Sequence, residues 1–241
     1  MAANILNLTM ESKLFIAQSV QILGKEKNSA LIGIKGLYPG YGVTVGNALR
    51  RILLSSIAGA AITTVKIDNV LHEFSTIPGV LEDVLEIVLN LKQVRVKMLG
   101  SEPQDLFLEA KGEGEVKAGD IKVPSNCQIV NPELHIATLT DKKASFKIEM
   151  KVEKGIGFLP AEEIRKNSAE SNAIFLDAIF SPIRKVNFEV EDMRVGEKTN
   201  YNFLKLYIET DGTIDPIEAY NQALEILVEQ FNGIKIKKVH E

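Results

Sequence analysis

The stretch from Gly40 to Ile57, GYGVTVGNALRRILLSSI, constrains the fold of this chain more than any other. Its glycines stop at Gly46 and an apolar run with helical spacing follows. That order predicts a flexible loop feeding a helix from about Val43 to Ile57. At about 100° per residue, Val45, Leu49, Ile52, Leu53 and Ser56 fall on one side, the expected buried stripe. Asn47, Arg50, Arg51 and Leu54 keep i, i+3, i+4, i+7 spacing and share the opposite arc. A merely solvated face more often mixes Glu and Lys with Ala. The spacing leaves two readings open: a docking surface, or solvated arginines beside a stray leucine.

On either side the chain reads as strands with occasional helices. Leu14 to Leu23 and Asn28 to Leu37 alternate loosely around the polar Gly24 to Lys27, an antiparallel hairpin leading into the helix. Gly59 is expected to end that helix. Ala60 to Asp68 is β-rich, with Ile62, Thr64 and Lys66 alternating against Thr63, Val65 and Ile67. A second helix is predicted from Pro78 to Leu91, its proline tolerated in the first turn. Val80, Val84, Ile87, Val88 and Leu91 form its apolar side, with Glu82, Asp83 and Glu86 turned away. From Val94 to Val152 short β-prone runs alternate with Gly, Pro and Asn breaks, which suits an antiparallel sheet better than βαβ units. Lys154 to Ser171 is polar and proline-interrupted and reads as a mobile surface loop. Ile174 to Phe180 is a short apolar run stopped by Pro182. Lys185 to Met193 and Phe203 to Thr210 read as strands, joined by Arg194 to Asn200. Asp215, Pro216 and Glu218 supply an N-cap, a first-turn proline and a glutamate three residues after the cap. They open a third helix from Pro216 to about Phe231, along which Ile217, Tyr220, Leu224, Leu227 and Phe231 keep heptad spacing, with Val228 alongside.

This order predicts an α+β chain in which one domain interrupts another. Residues 1–58 and 186–241 would form an antiparallel sheet with two helices, and residues 59–185 an inserted, mainly antiparallel β domain. The boundaries fall near Ala58 and Lys185. The first and third helices are both strongly apolar, and the few strands of their domain can cover only part of them. Some stripe should therefore remain for a second copy, in an isologous contact.

Composition narrows the function. The formal charge of -4 over 241 residues gives no basic footprint, which argues against a direct grip on a nucleic-acid backbone. Cys127 is the single cysteine, so no internal disulfide is possible. No apolar run approaches the ~20 residues that span a bilayer. The start, MAANILNLTMESK, lacks the basic-then-apolar order of a signal peptide, and a cytoplasmic chain is expected.

No catalytic constellation emerges. A strand, a glycine-rich turn and a helix start suggest a dinucleotide site, with Asp68 as the ribose acid. The glycines at 40, 42 and 46 give G-x-G-x-x-x-G, however, and Val45 occupies the third position of the fingerprint. His72, His135 and His240 are scattered without zinc-ligand spacing and read as structural or exposed. Glu82-Asp83 and Glu162-Glu163 are expected on solvated faces. No metal or cofactor is implied.

GNALRRILLSSIAGAAITTVKIDNVLHEFSTIPGVLEDVLEIVLNLK resembles the amino-terminal domain of the bacterial RNA polymerase alpha subunit. NPELHIATL, KGIGFLPAEE and DAIFSPIRKVNFEVEDMRVGEKTNYNFLKLYIETDGTIDPIEA resemble further segments of that family, in its order. The resemblance covers nearly the whole chain. One departure precedes the helix: the family usually reads Gly-Phe-Gly-His-Thr, and here Tyr41 and Val43 replace the phenylalanine and the histidine. The histidine's role is therefore not carried over to Val43.

The resemblance implies a dimerisation domain built from both termini around an inserted domain, and a homodimer made by the first and third helices. Periodicity, supported by that use, picks Ile52, Leu53 and Ile57 with Leu224, Leu227, Val228 and Phe231 for the dimer contact. Arg51 and Leu54 match family positions that bind the beta subunit, and Asn47 and Arg50 share their face. Glu86, Lys92 and Leu176 match positions implicated in beta-prime binding. One protomer would serve beta and the other beta-prime. The implied role is an assembly scaffold without chemistry, membrane contact or direct DNA binding. Full-length alpha subunits also carry a linker and a carboxy-terminal DNA- and activator-binding domain, whereas this sequence stops at IKIKKVHE. A stand-alone homodimeric protein holding an acidic ligand on the arginine face is the alternative reading.

Overall fold

The computed structural model describes residues 17–70, 72–168 and 172–235. The elements in chain order are β1 (Ser19–Lys25), β2 (Ser29–Leu37), α1 (Tyr41–Ser56), β3 (Ala58–Ile67), α2 (Val84–Leu91), β4 (Val96–Met98), β5 (Gln104–Lys111), β6 (Gly114–Lys117), β7 (Cys127–Ile129), β8 (His135–Leu139), β9 (Ser145–Ile156), β10 (Phe158–Leu159), α3 (Ala161–Asn167), β11 (Ile174–Phe175), β12 (Ala178–Ile179), β13 (Ile183–Val195), β14 (Lys198–Thr210) and α4 (Pro216–Gly233). The chain is α+β with antiparallel sheets, the predicted class. It divides into two compact units. One comprises the chain up to Leu54, Ile183–Thr210 and the chain from Asp215; the other comprises Ser55–Pro182 and Asp211–Ile214.

The first unit is a four-stranded sheet in the order β1-β2-β14-β13. The alternation of β2 and β14 brings Ala30, Ile32 and Ile34 opposite Ile208, Leu206 and Leu204, all buried on one face. The β13–β14 strands run longer than expected, and Arg194 to Asn200 is mostly strand. Only Gly196, in a left-handed conformation (φ 61°), and Glu197 remain as the turn. The expected first strand begins at Leu14, and its part before residue 17 lies outside the described residues.

Helix α1 closes on this sheet through glycine. A Cβ added to Gly42 would stand 2.6 Å from Val190 Cγ1, and one on Gly46 would stand 2.7 Å from the Phe188 ring. The buried line is Gly42, Gly46, Leu49 and Leu53, so the helix is turned relative to the predicted stripe. Val45, Ile52 and Ser56 are only half-buried at its margin. The backbone N–H groups of Gly40 and Gly42 donate to Asn202 Oδ1 on β14, at 2.9 and 3.2 Å. Gly40 turns into a docked helix that begins two residues earlier than expected and contains Gly42 and Gly46, and those two donors already serve the sheet. A phosphate cradle is not built here. Gly59, expected to end the helix, lies within β3.

The second unit is built on the sheet β11-β3-β9-β5, with the smaller pairs β4-β7, β6-β8 and β10-β12. Val65, Leu106, Leu108, Phe146 and Ile148 from the main sheet share one core with Val84, Ile87 and Leu91 of α2. Gly59 and Gly155 are direct cross-strand partners, and the buried Phe180 lies against both.

Two expectations in this unit need correcting. The second helix starts at Val84, not Pro78. Gly79 adopts a left-handed conformation (φ 78°), and Thr76 and Val80 bridge to Asp83 and Leu139. Asp83 then caps α2, accepting the Glu86 N–H at 2.7 Å, because a carboxylate satisfies an orphan donor that Ile77 cannot. The expected loop from Lys154 to Ser171 instead finishes β9 and forms β10 and α3, its last three residues lying outside the described ones. In α3, Glu162 and Glu163 sit in the first turn and Arg165 and Lys166 in the last, the arrangement the helix dipole favours.

Candidate partner-binding surfaces

Helix α1 presents Asn47, Arg50, Arg51 and Leu54 on its outer sector, and all four are exposed. The helix has no acidic residue, so this sector is cationic with an apolar end. Arginine suits a protein contact because its planar fork binds carboxylates bidentately.

Helix α4 divides differently from its heptad pattern. Asp215 caps it by accepting the Ile217 N–H at 2.9 Å, and Pro216, Ala219, Tyr220 and Ala223 are the buried residues. Small side chains let the first half sit close to the unit. Leu224 and Leu227 are half-buried, while Val228 and Phe231 are 59% and 60% exposed. Ile234, absent from the predicted set, extends this apolar line at i+3 from Phe231 and is exposed. Two residues assigned to the dimer contact do not fit. Leu53 and Ile57 are fully buried within the chain and offer no surface to a second copy. Ile52, at the half-buried margin of α1, retains some.

The three residues expected for beta-prime do not form one surface. Leu176 is 3% exposed and belongs to the core of the second unit, its N–H donating to the Thr63 carbonyl at 2.9 Å. Lys92, at the C-cap of α2, holds Asp177 at 3.0 Å, and Asp177 also accepts the Ala161 N–H at the start of α3. Glu86 is exposed in the first turn of α2, on a different side from Lys92. Sequence reasoning missed Leu85 and Leu89, an exposed i, i+4 pair on α2. The signal was present: VLEIVLNL is interrupted only by Glu86 and Asn90, and its apolar arc is wider than one core contact can absorb.

Glu82 is buried, contrary to the solvated face expected for it. Its carboxylate accepts the Thr138 N–H at 2.7 Å and the Thr138 hydroxyl at 3.0 Å, and meets His135 Nε2 at 2.8 Å. The other ring nitrogen, Nδ1, faces Glu115 Oε1 at 3.1 Å. Burial works to raise the Glu82 pKa, but hydrogen bonds from Thr138 and His135 outweigh it and hold the carboxyl below its ordinary value. The Glu82 bond, then Glu115, raises His135 against the opposing effect of burial. Glu82 therefore stabilises the fold above its unfolded pKa of about 4.3, and that contribution is lost as pH falls through the lower folded value. His135 contributes below about 6.5 and loses it as pH rises through its raised folded value. In an NMR titration the His135 midpoint should lie above 6.5; a midpoint at or below that value would mean the bridge does not persist in solution. Thermal melts of His135→Gln should lack the decline seen above that pH. Among the described residues no group of three or more His, Cys, Asp or Glu is placed to hold a metal, and no helix is long and apolar enough to cross a membrane. His240 lies outside the described residues.

Comparison with known proteins places this sequence in a family. The family described as RNA polymerase Rpb3/RpoA insert domain matches residues 65–181. The DNA-directed RNA polymerase subunit alpha of Symbiobacterium thermophilum is 51% identical over 208 residues, covering 86% of this chain and 66% of that protein. The same subunit of Roseiflexus sp. is 48% identical over 210 residues, covering 87% of this chain and 64% of its own length. That of Thermus thermophilus is 49% identical over 213 residues, with coverage of 88% and 66%. The chain thus spans just under two thirds of the relatives it matches. It belongs to the family of bacterial DNA-directed RNA polymerase alpha subunits, as their amino-terminal domain.

Proposed function

We propose that this chain is a non-catalytic scaffold subunit of DNA-directed RNA polymerase, acting in the cytoplasm without a cofactor. Two copies pair through the exposed end of α4 and the half-buried margin of α1 that includes Ile52. The pair then captures the beta and beta-prime subunits and nucleates the core enzyme. The first unit is the dimerisation domain, and the second is the domain inserted into it. The observation that carries the reading is the outer sector of α1, where Asn47, Arg50, Arg51 and Leu54 stand exposed together. The relatives' shared name, subunit alpha of the polymerase, supports the choice of partners.

In this reading beta docks on that sector, with the arginines meeting carboxylates and Leu54 filling an apolar pocket. Beta-prime meets the outer face of α2 through Glu86, Leu85 and Leu89, with Lys92 at its edge. Leu176 is withdrawn from that contact, because a core residue cannot reach a partner. A homodimer with two unlike partners uses equivalent surfaces asymmetrically, one copy for each large subunit.

Arg51→Ala tests the reading. The variant should remain a dimer by size-exclusion chromatography yet bind purified beta about 30-fold more weakly, equivalent to ~2 kcal/mol. Unchanged co-purification with beta would remove α1 from the capture surface.

A further inference from the structure

Val43 stands 54% exposed in the first turn of α1, in line with Asn47, Arg50 and Leu54 at i, i+4, i+7 and i+11. A β-branched residue gains little from this position. It is a weaker helix former than alanine, and it does not serve the helix start, whose Gly40 and Gly42 donors are held by Asn202. Its apolar surface faces outward and joins the cationic sector. Arg50, midway along the line, makes no ion pair with another described residue, and α1 supplies no acid of its own. The outer line of α1 therefore runs apolar, polar, cationic, apolar. Its two apolar ends are separated by about 16 Å at 1.5 Å per residue.

We propose that α1 selects a protein surface carrying one or more carboxylates opposite Arg50 and Arg51, flanked by two apolar side chains about 16 Å apart. Val43 is the second apolar stop, and it sets the register of the contact. The inference rests on the reading of α1 as the beta-capture surface and adds the chemistry that beta must present. Charge alone fixes position poorly, because carboxylates can slide between neighbouring guanidiniums at little cost. An apolar contact at each end penalises every shifted register, since a shift by one turn exposes one anchor and buries a polar group against the other.

Binding of purified beta subunit to the parental dimer and its variants tests this, with circular dichroism and thermal melts controlling for the fold. Val43→Thr keeps the branched shape and replaces one of the two methyls with a hydroxyl; it should weaken binding about 5-fold, with the same salt dependence as the parent. Val43→Asp places an acid against the partner's carboxylates and should weaken binding at least 30-fold, less so at high salt. Arg50→Ala should flatten the salt dependence. Parental affinity in both Val43 variants, while Arg51→Ala and Leu54→Ala still lose binding, overturns the register proposal and leaves the capture reading standing. Parental affinity in all four overturns both.

Discussion

Val228→Glu combined with Phe231→Glu is expected to convert the proposed dimer into a soluble, folded monomer. Both side chains are more exposed than buried at the end of α4, where Leu224, Leu227 and Ile234 continue the apolar line. The helix is held to its own unit by Pro216, Ala219, Tyr220 and Ala223, all in its first half, so the charges do not strain the monomer. In an isologous contact each glutamate approaches its own symmetry mate or a near neighbour, and like charges meet in a desolvated setting. Loss of two apolar anchors together with that repulsion should raise the dimer dissociation constant by three decades or more, about 4 kcal/mol. Sedimentation velocity at micromolar concentration checks this. A persistent dimer would remove α4 from the contact. Leu53→Glu and Ile57→Glu are expected to behave differently, since both residues are buried within the chain, and should yield unfolded or insoluble protein.

Gly59→Ala should be the most damaging single-methyl change in the second unit. The added Cβ would stand 2.0 Å from the carbonyl oxygen of Phe180, so backbone must move. Overpacking of this kind costs about 3 kcal/mol, enough to lower the unfolding midpoint of the unit by several degrees. Gly155→Ala, on the strand opposite, meets the Phe180 ring at 2.6 to 2.8 Å. A ring yields more readily than a carbonyl, and a smaller loss is expected. Pairing Gly155→Ala with Phe180→Leu should give a destabilisation below the sum of the two single changes, whereas Gly59→Ala should not be rescued in the same way. Chemical denaturation of the three single variants and the two combinations measures both couplings. Strict additivity at Gly155 would mean the ring does not rest on that glycine.

Helical spacing made α1 and α4 legible, and alternation with turn residues made the antiparallel class legible. The failures share a physical cause. Periodicity reports which side of a helix is apolar, but not how closely that side approaches its own sheet. At Gly42 and Gly46 the close approach is made where there is no side chain, which centres the buried line on those glycines with Leu49 and Leu53 and leaves Val45 and Ile52 at the margin. On α4 the small residues Ala219 and Ala223 do the same, and the large residues predicted as one stripe are divided between self and surface. The outer arc of α1 was legible because it rests on residue types that burial disfavours, two arginines and an asparagine. Glu82 was misplaced because its partners, Thr138 and His135, lie on a strand more than fifty residues away, and nothing near it in the sequence announces them. Leu176 was misplaced for a related reason: family position suggested a contact, but a short apolar run in a sheet-rich region is more often core.

The order β1-β2-β14-β13 also sets a timetable for synthesis. Strand β2 ends at Leu37 and its sheet neighbour β14 begins at Lys198, with most of the second unit translated between them. At ribosomal speeds of about 5–20 residues per second, the nascent hairpin waits roughly 8 to 30 s with one edge open. The outer arc of α1 is encoded early but gains its rigid backing only when Phe188, Val190 and Asn202 emerge. The proposed capture of a larger protein is thereby deferred until β13 and β14 have been made.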